Sequence, residues 1–103
     1  MPSRRELSGM PGRVAMAYRM IAGASRVMTM RYVLDNPGAS VAEIADATGV
    51  SLASARVSLA DLEEAGYVVA DVEGPRNGRI VRYSADRRQF VDDLGLLWAW
   101  MAR

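Results

Sequence analysis

The chain has no cysteine, no histidine and no lysine, and only one phenylalanine. Without thiols or imidazoles, Cys/His zinc sites, thiol redox chemistry, cysteine nucleophiles and Ser-His-Asp triads are excluded. No glycine-rich phosphate cradle is present either, so an enzyme is not expected and no cofactor or metal is called for. No uninterrupted apolar stretch approaches about 18 residues, which leaves no candidate membrane span. The N-terminal segment VAMAYRMIA carries Arg19 within it and makes a poor signal peptide, so the expected compartment is cytoplasmic. Every basic side chain is arginine, which suits bidentate phosphate and guanine contacts, although codon bias in a GC-rich genome accounts for the choice better.

What is present suits one soluble globular domain. The chain is 103 residues long, 50% hydrophobic and 24% charged, enough for a single core. Its net charge of +1 hides an asymmetry. Residues 1–31 hold six Arg against Glu6, residues 32–73 hold eight acids against Arg56 alone, and residues 74–103 hold six Arg against three Asp. The basic footprint therefore lies toward the two ends of the chain and the middle is acidic.

Residues 1–12, MPSRRELSGMPG, lack periodicity and read as a flexible tail before a single domain over 13–103; Arg4 and Arg5 could serve as a minor-groove arm. A helix over 13–22 would place Val14, Ala17, Tyr18 and Ile21 on one face and Met16 and Met20 partly on the other. Two apolar faces imply two partners, the core and a second subunit. Ser25 can cap a helix over 26–35, stopped by Asn36-Pro37-Gly38, with Val27, Met30 and Leu34 inward. The seven methionines raise a thioether copper site, but their spacing forms no ligand cluster and gap-filling explains them better.

The stretch SVAEIADATGVSLASARVSLADLEEAG, residues 40–66, carries the strongest local signals. Ser40 and Glu43 form a capping box for a short helix bearing Val41, Ile44 and Ala45. Gly49-Val50 breaks it, and Ser51 caps a second helix with Leu52, Ala55, Leu59 and Leu62 at three- and four-residue spacing, ended by Gly66. Two short helices around a glycine turn match a helix-turn-helix, though any helical hairpin would share that spacing. The two segments that follow, YVVADVE (67–73) and RIVRYS (79–84), read as strands flanking Gly74-Pro75-Arg76-Asn77-Gly78, where Asn-Gly signals a hairpin.

A helix-turn-helix running into an arginine-bearing hairpin is a winged helix: mainly α with a small β-hairpin wing, about five helices plus two strands. The segment from about Ala24 to Tyr83 resembles the ArsR/MarR-like winged-helix regulators. Ser51 stands where their recognition helix opens, Leu59 and Leu62 follow, and Glu64-Ala65-Gly66-Tyr67 precedes the wing. The flanking helices are closer to the ArsR arrangement. That resemblance implies double-stranded DNA as partner and a homodimer built on the terminal helices. Many ArsR relatives sense metals through Cys or His pairs; here those positions hold Ala45, Asp46 and Ala47, and later Asp92 and Asp93, so metal sensing does not carry over.

The expected DNA-contacting residues are Ser51, Ala53, Ser54, Arg56, Val57 and Ser58 on the recognition helix and Arg76, Asn77 and Arg79 on the wing. Arg82 alternates in side with Val81, and Arg87 and Arg88 extend the patch. Only Arg56 is a strong donor toward the groove, so direct readout should be thin and shape readout important. A last helix over 86–102 carries Phe90, Leu94, Leu97, Trp98 and Met101 along one face. Trp98 and Trp100 lie about 200° apart on it, too far for one core to bury both. The expected dimer interface is Tyr18, Ile21, Leu94, Leu97, Trp98, Trp100 and Met101. Asp92 and Asp93 read as solvated charges. The leading function is a dimeric, sequence-specific DNA-binding regulator, expected to be a repressor that occludes a promoter. The alternatives are a winged-helix protein-interaction module and a partition, replication or recombination protein on the same fold.

Overall fold

The computed structural model describes residues 9–103; the basic-arm residues Arg4 and Arg5 and most of the expected tail lie outside them. Among the described residues the order is α1 (Gly12–Ile21), α2 (Ala24–Asp35), β1 (Ala39–Ser40), α3 (Val41–Thr48), α4 (Leu52–Ala65), β2 (Val68–Ala70), β3 (Arg82–Ala85) and α5 (Arg87–Ala102). The three strands form one antiparallel sheet in the order β1-β3-β2, with Ala39 opposite Tyr83 and Val68 opposite Ala85.

Local chemistry fixes most helix ends. The Ser40 hydroxyl accepts from the Glu43 amide while the Glu43 carboxylate accepts from the Ser40 amide, closing the capping box. Ser51 caps α4 by accepting from the Ser54 amide, and Asp86 caps α5 by accepting from the Gln89 amide. Helix α4 ends in a Schellman motif: the Tyr67 amide donates to the Leu62 carbonyl and the Gly66 amide to that of Glu63, with Gly66 at φ +87°. A Cβ there would strain the backbone, so glycine is required. Helix α2 starts differently from expectation, with Gly23 at its N-cap and no side-chain cap, so Ser25 lies inside the first turn.

The core gathers Met20, Met30, Val33, Ile44, Leu59, Leu62 and Tyr67, with Val14, Ala17 and Leu97 in a second cluster between α1 and α5. Each of the buried Val, Leu, Ile and Met side chains contributes about 1.5–3 kcal/mol by leaving water. Three inward faces are rotated from the sequence reading. Helix α1 buries Met20 and leaves Tyr18 and Ile21 exposed, and α2 buries Thr29, Met30 and Val33 while Val27 is exposed. In α5 the buried residues are Asp93 and Leu97. Apolar spacing marks a stripe, but which edge of the stripe turns inward depends on where neighbouring helices cross it.

The wing departs from a two-stranded hairpin. Strand pairing covers only 68–70 and 82–85, and β1 adds a third strand on the other side of β3. Residues 71–81 leave the ladder after one pair of bonds, Asp71 amide to Arg82 carbonyl and Arg82 amide to the Asp71 carboxylate. Gly74 at φ +81° and Pro75, which has no N–H to donate, interrupt the strand. At the tip the Arg79 amide donates to the Arg76 carbonyl across Asn77-Gly78, and only Gly78 has positive φ, as in a type II turn.

Candidate nucleic-acid interface

Helix α4 packs on α2 and α3 through Ala55, Ser58, Leu59, Leu62 and Ala65, all buried. The opposite side, Leu52, Ala53, Arg56, Val57 and Ala60, faces solvent, with Val57 61% exposed despite being apolar. Ser54 is half-buried beside the cap, and Ser51 spends its oxygen on the Ser54 amide. Ser58 is a correction: it is 3% exposed and turned into the domain, so it cannot read a base. It sits three residues from Ala55 and four from Leu62, on the inward stripe, a position that one polar residue among small ones did not reveal.

A cleft of about 380 Å³ opens between the start of α3, the outer side of α4 and the wing, and its lining includes Ser40, Arg56, Arg76, Arg79 and Ile80. Thus the recognition-helix arginine and both wing arginines border one concavity. Their states differ. Arg56 and Arg79 have no side-chain hydrogen bond or ion pair among the described residues, and both are exposed. Arg76 instead donates from Nη1 and Nη2 to the two carboxylate oxygens of Glu63 at 3.1 and 2.7 Å. That hydrogen-bonded guanidinium holds the Glu63 carboxyl below its ordinary pKa, and Glu63 in turn raises that of Arg76. Asn77 is exposed at the tip.

Other arginines are spent on the scaffold. Arg82 donates to the Gly38 carbonyl at 3.0 Å and lies 3.6 Å from Glu43, so it pins β3 to the turn before β1. Arg87 donates to the Leu34 carbonyl at 3.4 Å near the end of α2, and Arg26 pairs with Asp61 at 3.5 Å. The acidic middle of the chain is therefore partly neutralised from outside itself.

Asp93 is a second correction, 1% exposed and not solvated. Its carboxylate accepts from Arg13 Nε, the Tyr67 hydroxyl and Gln89 Nε2 at 2.8, 2.8 and 3.0 Å. Burial works against its ionisation, but the hydrogen bonds from Arg13, Tyr67 and Gln89 prevail and its pKa lies below the ordinary value. Burial, and next the hydrogen bond to Asp93, push the Tyr67 hydroxyl up. Asp92, its neighbour, is exposed. Among the described residues no group of three or more acids could hold a metal ion, and no helix is long and apolar enough to cross a membrane.

On the two terminal helices, Tyr18, Ile21, Trp98, Trp100 and Met101 are exposed, Trp98 by 72%. Leu97 is 5% exposed and packs on Val14 and Ala17 of its own chain, with half-buried Leu94 beside it, so Leu97 is removed from the expected interface. Trp100 donates its indole N–H to the Gly9 carbonyl at 3.2 Å, and Met10 packs on the Val14 cluster, which brings residues 9–10 of the expected tail onto the domain.

A family model described as MarR family matches residues 23–80. No curated protein matches the chain. Among solved structures, an ArsR-like transcriptional regulator from a Rhodococcus species is similar at 20% identity and TM-score 0.68, over 87% of this chain and 80% of that one. The homodimeric winged helix-turn-helix DNA-binding domain of a possible ArsR-family regulator from Mycobacterium bovis aligns at 24% identity and TM-score 0.62, over 86% and 78%. Streptococcus pneumoniae FabT, in complex with DNA, aligns at 16% and 0.55, over 86% and 66%.

Proposed function

The chain belongs to the MarR family of winged-helix DNA-binding transcription regulators, and on that premise we propose that it acts as a homodimeric repressor that occludes a promoter. The observation that carries the reading is the shared cleft: Arg56 on α4 and Arg79 on the wing border one concavity, without an acidic partner among the described residues. Two such cations beside an exposed helix face suit a polyanion of fixed shape.

In this reading the first turns of α4 enter the major groove, with Arg56 bidentate to a guanine and Ala53 and Val57 against thymine methyls. Ser51, Ser54, Asn77 and Arg79 meet sugar and phosphate, which fixes register without reading sequence. With a single strong donor on the groove side, specificity leans on DNA shape and deformability. Dimerisation through Tyr18, Ile21, Trp98, Trp100 and Met101 sets two recognition helices about 34–36 Å apart, one helical turn of DNA. The homodimer of the Mycobacterium bovis domain and the DNA complex of FabT support both parts by likeness of fold.

The protein-interaction alternative rests on the acidic middle segment. Because Asp61, Glu63 and Glu43 are paired with Arg26, Arg76 and Arg82, that segment offers less free charge than its composition suggests. Titration of the chain against a mixed-sequence duplex at low salt tests the reading; no binding there would end it. Footprinting on the DNA upstream of its own gene separates a regulator from a partition or replication protein.

A further inference from the structure

The wing of this protein is tied down at one place. Beyond Asp71, the loop through residue 81 makes no hydrogen bond to the rest of the described chain except those between Arg76 and Glu63. Residues 73–80 are all exposed, so no burial holds them. Glu63 lies in the last turn of α4, and the two bonds form a fork-to-fork pair, the strong and orienting form of an arginine–carboxylate contact.

We infer that Glu63 is a positioning residue for DNA binding, which clamps the wing onto the recognition helix, and that Arg76 is its internal counterion and makes no phosphate contact of its own. The inference rests on the regulator reading above. A phosphate reaching the free edge of the Arg76 guanidinium would share a charge that Glu63 already neutralises and would lie close to its carboxylate, where like charges repel. Arg79 meets no such competition. It follows Arg76 through one tight turn, closed by its amide on the Arg76 carbonyl, so the clamp that holds Arg76 also fixes where Arg79 enters the cleft. The clamp lowers the ordering cost of the loop before DNA arrives, which is pre-organisation.

The test compares Glu63→Ala, Arg76→Glu, Arg79→Ala and the charge-swapped double variant Glu63→Arg/Arg76→Glu in the full chain. Two readouts are taken: the rate of tryptic cleavage after Arg79 without DNA (after Arg76 too where it is retained), and affinity for a mixed duplex across a salt series. For Glu63→Ala, cleavage after Arg79 should accelerate several-fold and affinity fall about 3- to 10-fold. The swapped variant should restore both to near the parent, while Arg76→Glu alone restores neither. Arg79→Ala should lower the salt slope by about 1 and Glu63→Ala should not. If the swap restores protection from trypsin but binds DNA as poorly as Arg76→Glu, Arg76 touches phosphate and the inference is overturned. Cleavage indifferent to Glu63→Ala overturns it as well. Swap-restored protection in a chain that binds no DNA upholds the clamp, removes its positioning role and refutes the regulator reading itself.

Discussion

Arg13 and Asp93 stand 80 residues apart in the chain and are joined by a hydrogen bond of 2.8 Å from the Arg13 Nε. The same guanidinium donates from Nη2 to the Ala65 carbonyl at the end of α4, and lies 5.6 Å from the centre of the Tyr67 ring. Tyr67 closes the junction, its hydroxyl on Asp93 and its ring edge-on to Phe90 at 5.1 Å. One buried carboxylate thus keys the two terminal helices, whose outer faces carry the proposed dimer contacts, to the C-terminal end of the recognition helix. In the proposed dimer this junction would set the angle between the recognition helix and the two-fold axis.

Asp93→Asn should destabilise the fold by about 2–3 kcal/mol at pH 7. Breaking a buried pair costs about 3–5 kcal/mol, and the figure is discounted because Arg13 is 43% exposed and water replaces part of what it loses. Urea titration measures the difference.

The same residue makes stability acid-sensitive. Because its folded-state pKa is depressed below the unfolded value near 3.8, the unfolded chain takes up its proton first on acidification. Its contribution is complete above that value and disappears as pH falls through the folded-state pKa. Glu63, also depressed, acts in the same direction. Stability measured between pH 6 and 2 should fall more steeply for the parent than for Asp93→Asn, and parallel curves would contradict the assignment.

Arg56 and Arg79 should separate cleanly in binding experiments. Arg79→Ala is expected to weaken binding to all duplexes alike and reduce the salt slope by about 1, as loss of one phosphate contact does. Arg56→Ala is expected to cost about 1–3 kcal/mol on the preferred site only and to relax preference at one base pair. Selection from a randomised duplex pool, run with each variant, reads the distinction.

Leu97 and Trp98 are sequence neighbours with opposite surroundings. Leu97→Ala should lower stability by about 2–5 kcal/mol, as emptying a core site does. Trp98→Ser should leave the fold intact and shift sedimentation from dimer toward monomer, since that residue is 72% exposed in the single chain. A monomeric parent would remove the dimer.

Thr29 is fully buried on α2 and its hydroxyl finds no partner among the described residues. Thr29→Val keeps the shape and removes the unpaired group, so it should stabilise by about 1 kcal/mol, read as a higher Tm. A lower Tm would mean that the hydroxyl is bonded in solution.

Much of the short-range chemistry around the helix-turn-helix was written in the chain. The Ser40–Glu43 box, the Ser51 cap and the Gly66 stop each join groups within a few residues, so the sequence alone places the helix-turn-helix to within a residue or two. Folding alone decided which arginines remain free for a partner. Arg13, Arg26, Arg76 and Arg82 find their acids or carbonyls 80, 35, 13 and 44 residues away, and Arg56 and Arg79 are left facing the cleft. Nothing in periodicity marks such pairs, because they depend on how helices cross and where the chain returns. The burial of Ser58 and Asp93 and the pairing of β1 with β3 follow from the same crossings.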